Sequence, residues 1–163
     1  MSAPLHIRAA GMVTAVGLDC ASAAAAMRAR LDGFCETRFI GAGGAWLIGA
    51  PVPLPRNWIG EKRLAHLAAG AIVDALSQAP EAQAGCTLIL CLPEPDRPGR
   101  PIRDDAAFAR QVLEHAELPR GLKTLIVAHG RPSGFVALDR ARRILAEGGA
   151  AHVLIVGVDS YLT

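Results

Sequence analysis

The residues best placed to do chemistry lie in one short segment, residues 129–134 (HGRPSG), between an apolar run and a helical pattern. His129 could serve as a general base and Ser133 as a nucleophile, because turns after strands carry such groups in α/β proteins. A serine elbow needs the spacing G-x-S-x-G, and here the first glycine comes one residue too early. The segment therefore favours a helix N-cap role for Ser133 and a hydrogen-bonded turn role for His129.

Other residue types with chemical potential show no spacing that would form a site. The histidines lack HxH and HxxxH spacing, and the cysteines lack CxxC, so we expect no metal and no disulfide framework. The glycines of residues 41–49 lack the GK[ST] ending of a phosphate loop, so we expect no nucleotide cofactor. Cys91 ends an apolar run, where burial would keep a thiol inert. The sets are His6, His66, His115, His129 and His152, and Cys20, Cys35, Cys86 and Cys91.

Net charge and hydropathy limit the classes of molecule that the chain is expected to bind. The 17 Lys and Arg residues against 15 Asp and Glu give a net charge of +2, which disfavours a nucleic-acid module. No apolar run reaches the 18 residues that suggest a membrane span, so we expect a cytoplasmic protein with reduced thiols. Two arginine groups are expected on solvated faces, with docking of an acidic carrier protein as the weaker alternative. They are Arg97, Arg100 and Arg103, and Arg140, Arg142 and Arg143.

The elements that must position these residues alternate between strand and helix patterns. Continuous apolar runs of four to eight residues predict buried strands, and 3.6-residue periodicity between caps predicts helices. The order predicts an α/β domain with helices layered around a mostly parallel, mixed sheet. We expect strands at residues 6–13, 87–92, 124–128 and 153–158, helices at 20–31, 61–79, from Asp104 or Asp105 to about 116, and 133–147, and a short strand with an extended loop in 40–55.

Two stretches of the sequence carry glycine-containing motifs beside predicted strands. Residues 6–17, with the core GMVTAVG at 11–17, resemble the opening strand and the G-x-V-T-x-x-G turn of the β-ketoacyl synthases of the thiolase-like superfamily. Residues 134–160 (GFVALDRARRILAEGGAAHVLIVGVDS) resemble the helix after the family's nucleophile, a glycine turn, and a strand ending in G-x-D-S. The resemblance implies that residues 1–163 form one domain, the N-terminal half of a thiolase-like fold.

The resemblance also exposes a departure at the catalytic position. Arg131 stands where a condensing enzyme carries its nucleophilic cysteine. A guanidinium stays protonated and lacks the lone pair that attacks a thioester. The family's histidines and lysine belong to a second half that would follow Ser160. No catalytic residue can therefore be transferred to this chain.

These features lead to three hypotheses about function. The first is an inactive ketosynthase-like scaffold, adaptor or interaction module that assembles with itself or with a complementary second half. An acyl carrier protein or a secretion-system component is a weaker partner hypothesis. The second is the N-terminal half of a working acyl-transferring enzyme, completed by a second chain or segment. The third is an unrelated small α/β binding domain. Under the first two, we expect the alanine-rich face of the helix at 133–147 to be exposed for a partner.

Overall fold

Helices and strands alternate along most of residues 4–162, the part of the chain that the computed structural model describes. The bounds agree with the four predicted helices and with the three strands predicted at 87–92, 124–128 and 153–158 to within about one to three residues, and the α/β class is confirmed. The elements are α1 (Cys20–Arg28), β1 (Cys35–Ile40), β2 (Trp46–Gly49), α2 (Gly60–Gln78), a 3-10 turn (Pro80–Gln83), β3 (Cys86–Cys91), α3 (Asp105–His115), β4 (Thr124–Val127), α4 (Ser133–Ala146) and β5 (His152–Gly157).

The main sheet has three strands in the order β4-β3-β5, and all are parallel. Leu88 of β3 lies opposite Thr124 on one side and Leu154 on the other. Every residue of β3 is buried, as expected for the central strand of a sheet covered on both faces. The prediction of one mixed sheet is corrected, because the antiparallel pair β1–β2 forms a separate two-stranded sheet.

Helices cover the main sheet on both faces and give three layers. On one face, Leu64 and Ile72 of α2 and Phe108 of α3 belong to the same core cluster as Leu88 and Leu90. On the other face, alanines of α4 pack against alternate residues of β3. These residues are Ala137, Ala141, Ile89 and Cys91. The small alanine side chains let α4 lie close to the sheet. Two of the three alanines of α4, Ala137 and Ala141, are therefore buried against the sheet, which corrects the expectation that this face meets a partner.

The first predicted strand, at residues 6–13, does not form. Its backbone instead lies against α2, where the Met12 amide donates to the Asp74 carboxylate at 3.0 Å and Gln78 Nε2 donates to the Ala10 carbonyl at 2.8 Å. A Cβ on Gly11 would lie 1.9 Å from the Ala71 carbonyl oxygen, so only glycine permits this approach. Side chains of α2 satisfy the backbone groups that a strand partner would otherwise satisfy.

The short strand predicted within residues 40–55 is β2, and it pairs antiparallel with β1, a strand that was not predicted. Cys35 pairs with Gly49 and Ile40 pairs with Trp46, with a register shift between them. The turn at Gly44 has a φ of +77°, which glycine adopts without strain. Among residues 4–162, no helix combines the length and apolar character needed to cross a bilayer.

Candidate functional site

The segment at residues 129–133 lies at the carboxyl edge of the main sheet, between the end of β4 and the start of α4. The cluster assignments place α3, which follows β3, on one face of the sheet and α4, which follows β4, on the other. Open α/β sheets usually bind ligands outside the carboxyl ends of their strands, at the point where the strand order reverses. In the order β4-β3-β5 that point lies between β3 and β5, and the segment follows β4, on the other side of β3. The chemistry-bearing segment therefore lies at the ligand-binding edge of the sheet, next to the reversal point.

The Ser133 hydroxyl makes hydrogen bonds that hold the local backbone in place. Its side chain is 2% exposed, and its hydroxyl accepts from the His129 amide at 3.0 Å and donates to the Val127 carbonyl at 3.1 Å. These bonds join the end of β4 to the first turn of α4. The N-cap residue of α4 is Pro132, with no side-chain capping bond, so the expected N-cap role of Ser133 is wrong. Ser133 is the first helical residue, and its hydroxyl fixes the turn that precedes it.

His129 and Arg131 both reach solvent. Both are exposed, and within residues 4–162 no carboxylate lies within 4.0 Å of the Arg131 guanidinium. The hydrogen bond that His129 makes to Ser133 comes from its backbone amide rather than from its ring. A cation beside a helix N-terminus is disfavoured by the helix dipole, and exposure to water screens that repulsion. The turn thus presents a cation where the resemblance implies a thiolate.

A carboxylate after β3 approaches the same turn. Gly130 has a φ of +63°, and a Cβ built on it would lie 2.2 Å from the carboxyl carbon of Glu94. A carboxylate near the start of α4 interacts favourably with the helix dipole. Sequence reasoning missed Glu94, since the only local signal was the glycine between His129 and Arg131.

An ion pair closes the opposite side of this edge. Nη1 of Arg97, in the loop between β3 and α3, lies 2.5 Å from both carboxylate oxygens of Asp159, which follows β5. The ring centroid of Tyr161 lies 4.7 Å from the guanidinium carbon of Arg97. Arg100 is paired with Asp105 and also donates to backbone carbonyls. Two of the arginines expected on solvated faces therefore hold the edge together.

The buried thiols are not activated. Burial raises the pKa of both Cys86 and Cys91, at the two ends of β3. A thiol with a raised pKa holds little thiolate at neutral pH and reacts slowly. The geometry agrees with the expectation that Cys91 is structural.

A second cluster, not found from the sequence, lies between α2, α3 and the loop before α2. The Trp58 and His66 rings stack with centroids 3.6 Å apart, and the His66 and His115 rings stack at 4.0 Å. Burial lowers the pKa of His66, and the charges of His115, Lys62 and Arg56 lower it further. His66 Nε2 is buried, and no atom of residues 4–162 forms a hydrogen bond with it. The three rings lie too far apart in sequence for any spacing rule to connect them.

This ring stack borders an open groove of about 460 Å³ on the outer side of α2. Its polar lining includes Asp74, whose carboxylate already accepts from the amides of Met12 and Cys20. Within residues 4–162, no three His, Cys, Asp or Glu side chains come together as a metal site would require. The carboxyl edge of the sheet is the better candidate site, because Glu94, His129 and Arg131 come together there at one turn.

The described residues at the carboxyl edge assemble no nucleophile with a base in hydrogen-bond reach. They present an exposed cation at Arg131, a locked hydroxyl at Ser133 and a carboxylate at Glu94 beside the turn. Such a set can hold charge but offers no group to carry an acyl chain. No protein-family model, no curated protein and no solved structure matches this chain.

Proposed function

We propose that this chain is a catalytically inactive ketosynthase-like module that acts by assembling with a partner. The observation that carries the proposal is the turn before α4, where Arg131 is exposed in the position that the resemblance gives to the nucleophile. A guanidinium cannot form an acyl thioester. The neighbouring hydroxyl of Ser133 is buried and already hydrogen-bonded, so it does not substitute for the missing thiol.

The outer face of α4 supports the assembly part of the proposal. Phe135 is 81% exposed and Leu138 is 50% exposed, while Ala137 and Ala141 on the inner face are buried against β3. Arg142 lies four residues after Leu138 on the same helix, so a basic residue borders the stripe at its carboxyl end. An exposed apolar stripe of this kind is typical of a face that a partner covers. We infer that a complementary second half, or another copy of the chain, packs on it.

A mass-spectrometric assay for covalent acyl adducts tests the proposal. The purified chain is incubated with acyl-CoA and with acyl carrier protein thioesters, and its intact mass and peptides are measured. We expect no acyl group on Ser133, and none on any other residue once Cys35 is replaced. Cys35 is exposed on β1 and could react without catalysis, so a Cys35→Ser variant serves as the control.

An acyl adduct on Ser133, or on any residue that survives in the Cys35→Ser variant, would overturn the proposal. It would favour the alternative function, the N-terminal half of a working condensing enzyme completed by a second segment. The variant Arg131→Cys provides a positive control for the position. A thiol beside the N-terminus of α4 should have a lowered pKa and react with iodoacetamide faster than Cys35 does.

A further inference from the structure

The hairpin β1–β2 presents a face with no cover within residues 4–162. Glu36 lies opposite Ile48 and Ile40 lies opposite Trp46, and residues directly opposite each other point to the same side of a sheet. Arg38 lies in the stretch where the register of β1 shifts, and the exposure pattern places it on that side, since Arg38 is exposed like Glu36 and Ile40. We call this set the hairpin face: Glu36, Arg38, Ile40, Trp46 and Ile48, with Phe34 just before β1. All six residues are exposed.

The opposite side of the hairpin is partly covered by the body of the protein. Thr37 and Phe39 are partly buried, and a Cβ on Gly49 would lie 3.0 Å from the Leu162 side chain, whereas Leu47 remains 49% exposed. The hairpin face is therefore the outer side. Its apolar members remain largely uncovered, with Phe34 67% and Ile40 60% exposed. Sheet faces with this composition usually pack against another layer.

The two charges on the hairpin face have no ion-pair partner among the described residues. No ion pair within 4.0 Å involves either Glu36 or Arg38, and the Arg38 guanidinium lies over the ring of the neighbouring Phe39, 5.6 Å from its centroid. They stand two residues apart, one on each side of Thr37. An opposite-charge pair spaced in this way can be satisfied by a second copy that runs antiparallel to the first.

The pairing follows from two-fold symmetry. In a two-fold dimer, if residue i contacts residue j of the partner, then j contacts residue i of the partner. With the axis at Thr37, each Glu36 meets the second copy's Arg38, and each Phe34 meets its Ile40. An axis at Glu36 would bring two carboxylates together, and an axis at Arg38 would bring two guanidinium groups together. The charge pattern therefore selects the axis at Thr37.

We propose that the hairpin face is a self-association surface, on which β1 packs antiparallel on β1 of a second copy of this chain. The two Glu36–Arg38 pairs fix the register, and the apolar members of the face supply the buried area. A two-stranded hairpin offers less than the roughly 800 Å² per partner of a standard interface, so the dimer is weak and depends on concentration. This inference extends the proposed function, because it assigns a partner and a surface separate from α4.

Charge reversal with mixing tests the proposal. The variants Glu36→Arg and Arg38→Glu each place like charges opposite each other at both contacts, whereas their equimolar mixture restores two opposite-charge contacts between unlike chains. Sedimentation equilibrium should show the wild type dimerising, each single variant dissociating at least about tenfold more readily, and the mixture regaining wild-type association. Arg120→Glu, the same change at an exposed loop residue, should dimerise like the wild type.

The mixture also guards against misfolding, since two misfolded variants would not rescue each other. Circular dichroism of each single variant confirms that it is folded. A wild type that stays monomeric, a dimer that either single variant retains, or a mixture that stays monomeric would each overturn the proposal. The substitutions Phe135→Lys and Leu138→Lys on α4 should leave this dimer intact. An acyl adduct in the thioester assay would refute the proposed function and leave the hairpin dimer standing.

Discussion

Replacing Ser133 by alanine separates a structural hydroxyl from a catalytic one. The change removes the acceptor for the His129 amide, which the structure places 3.0 Å away. It also removes the donor to the Val127 carbonyl, but that oxygen keeps the Leu92 amide at 2.9 Å. The main cost is therefore one unsatisfied amide at the turn and one lost hydroxyl bond within a buried site.

The expected loss follows from these contacts. A net hydrogen bond contributes about 0.5–1.5 kcal/mol, and an unsatisfied buried group costs about 1–3 kcal/mol. Because His129 is exposed, water can reach part of the turn, so we expect Ser133→Ala to lower the free energy of unfolding by about 1–2 kcal/mol. For a domain of this size, that loss lowers the unfolding temperature by roughly 2–8 °C.

Urea denaturation followed by circular dichroism measures this loss. The matched control is Ser77→Ala, whose exposed hydroxyl donates to the Asp74 carbonyl within α2, and which should change stability by less than about 0.5 kcal/mol. A loss at Ser133 no larger than at Ser77 would refute the structural role. Labelling of Ser133 in the wild type by a fluorophosphonate would refute it as well, because it would reveal an activated nucleophile.

Three further predictions address the turn, the ring stack and the face of α4. Gly130→Ala should lower the free energy of unfolding by about 1–2 kcal/mol, because alanine is strained at the positive φ of this position. Adding Glu94→Ala should not restore the lost stability, because the exposed Glu94 carboxylate can move away from the new Cβ. Full rescue by the double variant would contradict this reasoning. Because the pKa of His66 in the folded chain is lowered below its usual 6.5, the unfolded chain binds a proton at His66 more readily. The contribution of neutral His66 to the free energy of unfolding should therefore be fully present above pH 6.5 and fall as the pH drops below it. Denaturation at several pH values should give a flatter profile for His66→Phe. Phe135→Lys and Leu138→Lys should each change the free energy of unfolding by less than about 0.5 kcal/mol, and a loss above about 1 kcal/mol would show that they pack within the chain.

The elements with a strong local pattern could be predicted from the sequence. The apolar run at 87–92 became β3, the periodic stretch at 61–79 became α2, and Asp104 caps α3 by accepting from the Ala106 and Ala107 amides. Such patterns report how deeply a segment is buried and where its ends are capped. The segment at 6–13 also looks apolar, but its backbone groups are satisfied by side chains of α2, 62 or more residues away in sequence.

The features of the candidate site likewise fall into those that the sequence predicts and those that depend on the tertiary structure. The sequence by itself determined the α/β class, the turn at 129–133 and the presence of Arg131 in it, because those depend on local periodicity and residue type. Only the tertiary structure decided that Ser133 is locked, that Glu94 lies against Gly130 and that Arg97 pairs with Asp159. Those contacts join three different strand ends, and the order β4-β3-β5 that brings them together comes from packing between distant segments, which no local pattern encodes.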